Sequence, residues 1–395
     1  MNTDLLELSL YGCVDGIGRR TLRKVVEYRS ARGWSWRELW VPSEEVVQYL
    51  SLSAKSIAAI QSADSVHWRT TILSALEQGR FRLIGTEDTE YPPLLKEADD
   101  PPPVLFVKGA VMVWSASSIP IAIVGTRNMT AYGRSVTEKV VTELVQLGCV
   151  IISGLMYGVD TTAHLSAVSS EGKTVAVLGY GFDHCYPPEH QSNLDTLLKK
   201  GATFVSEYPP WKIAKRGNFP ARNSIVAGMS AAVVVTEAAA KSGSMITAQC
   251  ALDDGRAVCA VPGPITNPYC EGTKWLINEG ATLVTSGNDV LEQIYAPTAR
   301  LGSSFLPINP LSTKFQTAKP RRPAVSTAHR QLTFDRRAQA TNIGQQLLAE
   351  LDQTPLSIDQ LAHQLALSPA IVATEVSLLE LQQLVVHQAG SISVM

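Results

Sequence analysis

Apolar positions in the first eighty residues recur at helical spacing, with Leu5, Leu6 and Leu8, then Leu22, Val25 and Val26, separated by glycine-containing breaks. This pattern predicts a small all-α domain over residues 1–80. Within it, Val14 to Leu22 holds a Gly16-x-Gly18 turn leading into a helix start crowded by Arg19, Arg20, Arg23 and Lys24. That is the layout of a helix-hairpin-helix or SAM-like module, whose free backbone N–H groups can hold a phosphate; a tight turn beneath a solvated basic face fits the same residues. After Asp99-Asp100-Pro101-Pro102-Pro103 the pattern changes to continuous apolar runs alternating with helical stretches. Strands are predicted at Ile119–Val124, Val150–Ser153, Thr174–Leu178, Thr203–Ser206, Ala232–Thr236 and Ala257–Val261. The helices between them include Ser135–Leu147 and Val159–Val168. Such strands are buried on both faces, so residues 81–295 are expected to form a Rossmann-like, doubly wound α/β domain with a parallel sheet.

From Ala296 periodicity disappears and Pro, Ser and Thr increase, with Arg300, Lys314, Lys319, Arg321, Arg322, Arg330, Arg336 and Arg337 against one acid, Asp335. Residues 296–340 are therefore expected to be a flexible basic linker. Helical periodicity returns at Ile343–Leu351, Ile358–Leu365 and Ile371–Leu384, followed by a Val385–His387 strand. Three short helices and a strand predict a winged helix over 341–395. No Lys or Arg follows Arg337, whereas Glu350, Asp352, Asp359, Glu375 and Glu380 do. A surface of that sign repels a phosphate backbone, which points this domain toward protein contact.

The 395-residue chain is 45% hydrophobic and 18% charged, which suits several globular domains and argues against global disorder. A net charge of −2 means that any nucleic-acid binding relies on local basic clusters. The six cysteines make no C-x-x-C pair and are expected to be reduced thiols. The opening MNTDLLELSL lacks the features of a signal peptide and no apolar run approaches membrane-spanning length, so a cytoplasmic protein without membrane attachment is expected.

In a doubly wound sheet the ligand crevice lies beyond the carboxyl ends of the strands, which makes the residues after each strand informative. They are Gly125-Thr126-Arg127, Ser153-Gly154, Gly179-Tyr180-Gly181 and, after the fifth predicted strand, Lys241-Ser242-Gly243-Ser244. Glycines admit close backbone approach and the cations supply charge, so this rim suits an anion; the bland reading is that the glycines only allow tight turns. Neither a G-x-G-x-x-G fingerprint after the first predicted strand nor a G-x-x-x-x-G-K-[ST] loop occurs, so the phosphate need not belong to a free nucleotide. Between the fourth and fifth strands, Lys212, Lys215, Arg216, Arg222 and Asn223 accompany Trp211 and Phe219. Cations that track phosphates and rings that stack on bases make a single-strand groove, although both rings could equally be core. Asp183-His184-Cys185 and Asp160 to His164 raise the question of catalysis, but no G-x-S-x-G elbow, H-E-x-x-H or metal-ligand spacing of histidines is present. No catalytic residue, metal or cofactor is expected.

These residues together carry a resemblance. Ile123-Val124-Gly125-Thr126-Arg127, Ser153-Gly154-Leu155 with Gly158-Val159-Asp160 and His164, Ser206-Glu207-Tyr208-Pro209-Pro210, Phe219-Pro220-Ala221-Arg222-Asn223, Glu237-Ala238-Ala239, Ser242-Gly243-Ser244 and Val261-Pro262-Gly263 follow the order and spacing of the DNA-processing protein A (Smf) family over residues 80 to 295. The resemblance implies single-stranded DNA binding at the Rossmann-domain pocket, homodimers, and help in loading RecA recombinase onto DNA taken up during natural transformation. It points first to Arg127 and Arg222 as phosphate contacts, then to Lys241, Ser153 and Gly154. Tyr157 and Ser224 stand where the family commonly has Arg, which removes charge from the rim and throws weight on Lys212, Lys215, Arg216 and the basic linker. Two rivals remain: a nucleotide-processing enzyme related to the phosphoribohydrolases, whose glycine run is absent from Thr236–Ser244, and a ligand-sensing regulator that uses its winged helix on duplex DNA.

Overall fold

The amino-terminal leucines translate directly into packing, with Leu6, Leu8 and Leu10 buried on helix α1 (Thr3–Tyr11) and Leu22 and Val25 buried on α2 (Arg19–Arg32). Four further helices complete this layer: α3 (Trp36–Trp40), α4 (Glu44–Leu50), α5 (Ala54–Gln61) and α6 (Ser65–Glu77). Helices α3, α4 and α5 each begin at a serine, Ser35, Ser43 and Ser53, whose side chain accepts from the N–H three residues on; each cap contributes about 1 kcal/mol. The computed structural model describes residues 3–63, 65–115, 118–299, 342–351, 356–365, 367–369, 371–373, 376, 379, 385–388 and 391–394. The chain divides into two units, Met1–Phe315 and Gln316–Met395.

The first unit is built on nine strands: β1 (Arg82–Gly85), β2 (Val104–Gly109), β3 (Ile119–Val124), β4 (Cys149–Ser153), β5 (Thr174–Leu178), β6 (Thr203–Ser206), β7 (Ala232–Val235), β8 (Ala257–Ala260) and β9 (Thr282–Leu283). Their spatial order is β1-β2-β6-β5-β4-β3-β7-β8-β9. The run from β6 to β9 is parallel, while β1 and β2 add an antiparallel margin. The chain works outward from β3 to β6, then returns to place β7 on the other side of β3, which opens a crevice beyond the ends of β3 and β7. All six predicted strands are present within one residue at each end. Strands β1, β2 and β9 were not expected: β1 has only two apolar residues, Leu83 and Ile84, β9 is only two residues long, and β2 follows directly on the Pro101–Pro103 break.

Helices α7 (Pro93–Lys96), α8 (Ala131–Gln146), α9 (Val159–Ser169), α10 (Gln191–Lys199), α11 (Asn218–Gly228), α12 (Gly243–Asp253), α13 (Glu271–Asn278) and α14 (Gly287–Ala299) complete the unit. Two apolar layers cover the sheet, one holding Ala122, Ile152, Val175, Val233 and Ile225, the other Ile121, Ile123, Val140, Val141 and Ile151. Because α14 runs to Ala299, the expected linker cannot begin at 296; the rest of that segment, 300–340, lies outside the described residues. In the second unit, helices at Asn342–Leu351 and Ile358–Gln364 pack with a hairpin of Val385–Gln388 and Ser391–Val394 around Leu347, Leu361, Val385 and Ile392. The second hairpin strand adds a wing to the predicted helix-and-strand pattern. Residues 371–373 are helical as expected, and most of 374–384 lies outside the described residues. No described helix is long and apolar enough to cross a membrane, and all six cysteines are free thiols.

The helical layer docks on the antiparallel margin. The basic start of α2 is used for this docking, contrary to its reading as a phosphate cradle. Arg19 donates from Nη2 to Glu207 Oε1 at 2.7 Å and from Nη1 to Ser224 Oγ at 2.7 Å, with each side chain of the Arg19–Glu207 pair only 10% exposed. Arg23 donates to the Asp99 carbonyl and Lys24 to the Tyr49 carbonyl, which leaves Arg20 at the surface. Removing one partner of such a buried pair strands the other charge, whereas an apolar pair of similar volume avoids that cost. Glu207→Ala is therefore expected to lower stability by about 3–5 kcal/mol in urea denaturation. The double variant R19M/E207L should recover most of that loss.

Candidate nucleic-acid interface

The loop after β3 is held from two sides. Glu237, fully buried just past β7, accepts from Thr130 N at 2.9 Å, Thr130 Oγ1 at 2.7 Å and Asn267 Nδ2 at 2.8 Å. Three donors offset the cost of burying its carboxylate. Its backbone carbonyl accepts from Thr126 N at 2.6 Å, and Thr126 O accepts from Val159 N at 3.2 Å. Gly158 has φ +75°, and a Cβ there would meet Thr126 O at 2.3 Å, so this junction admits only glycine. Thr126 is itself buried, its hydroxyl accepting from Asn128 N, and it acts as scaffold. The outcome is a fixed loop from which Arg127 projects into solvent.

Arg222 approaches the same crevice from α11, and it is buried. Its side chain, 4% exposed, donates to the Val177 carbonyl at 3.3 Å and lies 4.0 Å from the Asp160 carboxylate. A Cβ on Gly154 would fall 1.2 Å from Arg222 Nη1. The glycine therefore makes room for a guanidinium, where the sequence suggested room for a ligand's phosphate. Among the described residues, Arg222 Nε has no partner. Both Arg127 and Arg222 stand 5.9 Å from the centre of the half-buried Phe219 ring. Phe219, Arg222 and Asn223 share a face of α11 by their spacing of three and four. Asn223 donates to the Gly243 carbonyl at 3.2 Å and ties α11 to the start of α12.

That start is capped by Ser242, which bonds Ser244, while Lys241 and Gly243 are exposed. Lys215 and Arg216 are exposed on the loop before α11. Ser153 is fully buried and donates to the Ile123 carbonyl at 2.7 Å, so the sheet consumes its hydroxyl. Lys212 is paired with Asp15 at 3.1 Å, and Trp211 stacks on Trp68 at 6.2 Å; both belong to the docking of the helical layer and not to an open groove.

The candidate acid–base residues are committed to structure. Asp183 pairs with Arg80, His184 bonds the Trp211 carbonyl at 2.9 Å, and Cys185 donates to the Pro187 carbonyl. His164 is fully buried, bonded through Nδ1 to Thr174 Oγ1 at 2.7 Å, and burial with the nearby Arg222 charge lowers its pKa to about 3. Burial pushes the Asp160 carboxyl up, against the pull of Arg222. Among the described residues no group of three metal-ligating side chains occurs. Sequence reasoning passed over Tyr186, whose ring lies 5.5 Å from Phe219, because Tyr186-Pro187-Pro188 reads only as a turn. It also treated Tyr157 only as a missing charge.

The profile of the DNA recombination-mediator protein A family matches residues 82–295, and that of the DprA winged helix domain matches 335–391. The chain is 40% identical to DNA processing protein DprA of Bacillus subtilis over 223 residues, covering 56% of this chain and 74% of that protein. It is 39% identical to Protein Smf of Escherichia coli over 263 residues, covering 67% and 65%. The crystal structure of DNA processing protein A from Streptococcus pneumoniae superposes with a TM-score of 0.61 at 33% identity, covering 74% of this chain and 98% of that one.

Two outcomes follow from the geometry. Gly154→Ala should drive Arg222 from its seat and cost about 1–3 kcal/mol on thermal denaturation, as overpacking does. His164, neutral when folded, favours the unfolded chain once that chain protonates near pH 6.5, so its contribution is intact above 6.5 and is lost as pH falls toward 3. The acid limb of stability measured in urea at a series of pH values should be shallower for His164→Gln.

Proposed function

The chain belongs to the DNA recombination-mediator protein A family, and from that premise we propose that it is a cytoplasmic, non-enzymatic single-strand DNA binder that protects incoming DNA and hands it to RecA recombinase during natural transformation. The observation that carries this reading is the exposed Arg127 guanidinium, set 5.9 Å from the half-buried Phe219 ring at the carboxyl edge of a parallel sheet, with the buried Arg222 adding positive charge at the same distance from that ring. Cations that hold phosphates beside a ring that stacks on a base suit an unpaired strand, since a duplex hides its base faces. Lys241 with Ser242, Gly243 and Ser244, and Lys215 with Arg216, extend the positive rim. Asn223 braces it, and Gly125, Thr126, Ser153 and Gly154 shape it from beneath. The binder acts as a homodimer in this reading. The nucleotide-processing alternative is weakened by the commitment of Asp160, His164 and Asp183 to internal partners.

Arg222 is a poor residue for a first test because its loss would leave Asp160 buried beside no cation. Arg127→Ala is the clean one. It should weaken binding to oligo-dT and reduce the salt slope, in log affinity against log salt, by about 0.7, the value of one phosphate contact on a single strand. Unchanged affinity and slope, or turnover of free nucleotides by the wild type, would overturn the proposal. The acidic carboxyl-terminal domain serves a protein partner in the same reading, so deleting residues 341–395 should leave oligo-dT affinity within about twofold, measured by gel-shift titration.

A further inference from the structure

We infer that Tyr157 and Tyr186 form a second base-stacking site, which continues the path of single-stranded DNA past Phe219; the inference rests on the single-strand reading above. Both rings are open to solvent, at 41% and 38%. Each is nevertheless fixed in place. Tyr157 donates its hydroxyl to Glu189 Oε2 at 2.6 Å and meets the His190 ring edge-on at 4.6 Å. Tyr186 packs at 5.5 Å from Phe219 and 6.4 Å from Tyr180. One turn, residues 186–190, therefore presents Tyr186 toward Phe219 at one end and braces Tyr157 at the other.

Tyr157 also lines a hollow of about 390 Å³ with Arg127, Asn128, Met129, Arg134 and Gly158. Arg127 is thus common to two aromatic positions, 5.9 Å from the centre of the Phe219 ring and part of the wall of the Tyr157 hollow. A strand whose phosphate sits on Arg127 can place neighbouring bases on both sides, and Arg134 offers charge for the next phosphate. The Glu189 carboxylate beside Tyr157 repels phosphate at the ring itself, so a base is the group that fits there. Rings already held in place lose little freedom when a base arrives, which favours stacking as the source of affinity.

The test measures full-length wild type, Y157A, Y186A, Y157F and Y186F against oligo-dT over a salt series, and the wild type against an abasic deoxyribose-phosphate strand of the same length. Circular dichroism and thermal melts confirm folding. Each alanine variant should bind about 5- to 150-fold more weakly with an unchanged salt slope, the loss expected for one stacked base. The phenylalanine variants should keep most of the affinity, and the abasic strand should bind weakly. Alanine variants that bind as the wild type does, or that lose affinity through a changed salt slope, overturn the second site and leave the proposed function standing. A wild type that does not bind oligo-dT overturns both.

Discussion

A buried arginine organises this molecule's crevice. Arg222 occupies the space that Gly154 leaves open, faces Asp160 at 4.0 Å, and borders the Phe219 ring from below. A guanidinium stays charged in this setting because its intrinsic pKa is far above neutrality, so its environment must supply partners. The Val177 carbonyl and Asp160 supply some, and the unpartnered Nε leaves hydrogen-bonding capacity. The neighbouring residues follow from this demand. Gly154 has no side chain, Asp160 sets its carboxyl beside the guanidinium although burial pushes that carboxyl up, and His164, close to the same charge, stays neutral.

Above this seat the rim is rigid for a separate reason. Glu237 joins the end of β7 to the loop after β3 and to Asn267, so the two strands that flank the switch in strand order share one buried carboxylate. Arg127 can then be both exposed and well placed, because its loop is fixed at Thr126 and Thr130 and not by its own side chain. The division of labour between the two arginines is physical: one is held and desolvated, the other is exposed to water.

The amino-terminal layer bears on the crevice from the outside. Arg19 enters between Glu207 and Ser224, one turn of α11 from Ala221 and close in sequence to Arg222, and Trp68 closes over Trp211. Docking therefore draws on residues that looked, in the chain, like parts of a groove. Lys212 and Trp211 face inward to this layer, whereas Lys215 and Arg216, a few positions on, remain in water.

Periodicity along the chain determined the parallel strands β3 to β8, the helical amino-terminal layer and the helix-and-strand pattern of the carboxyl-terminal unit, because each depends on contacts repeated every two or three to four residues. The glycine and arginine runs after the strands likewise marked the crevice, since strand ends in a doubly wound sheet converge wherever the order reverses. Strand β1 with its two apolar residues, the two-residue β9, and β2 behind its prolines were beyond that kind of reading, as pairing with other strands sustains them. Which cation is buried and which is free could be decided only in three dimensions. Arg19, Lys212 and Arg222 differ from Arg127 and Lys215 not in type or local sequence but in the partners that folding brings to them: Glu207, Asp15 and Asp160. The same holds for Tyr157 and Tyr186, whose rings share a rim through a turn that no spacing in the chain reveals.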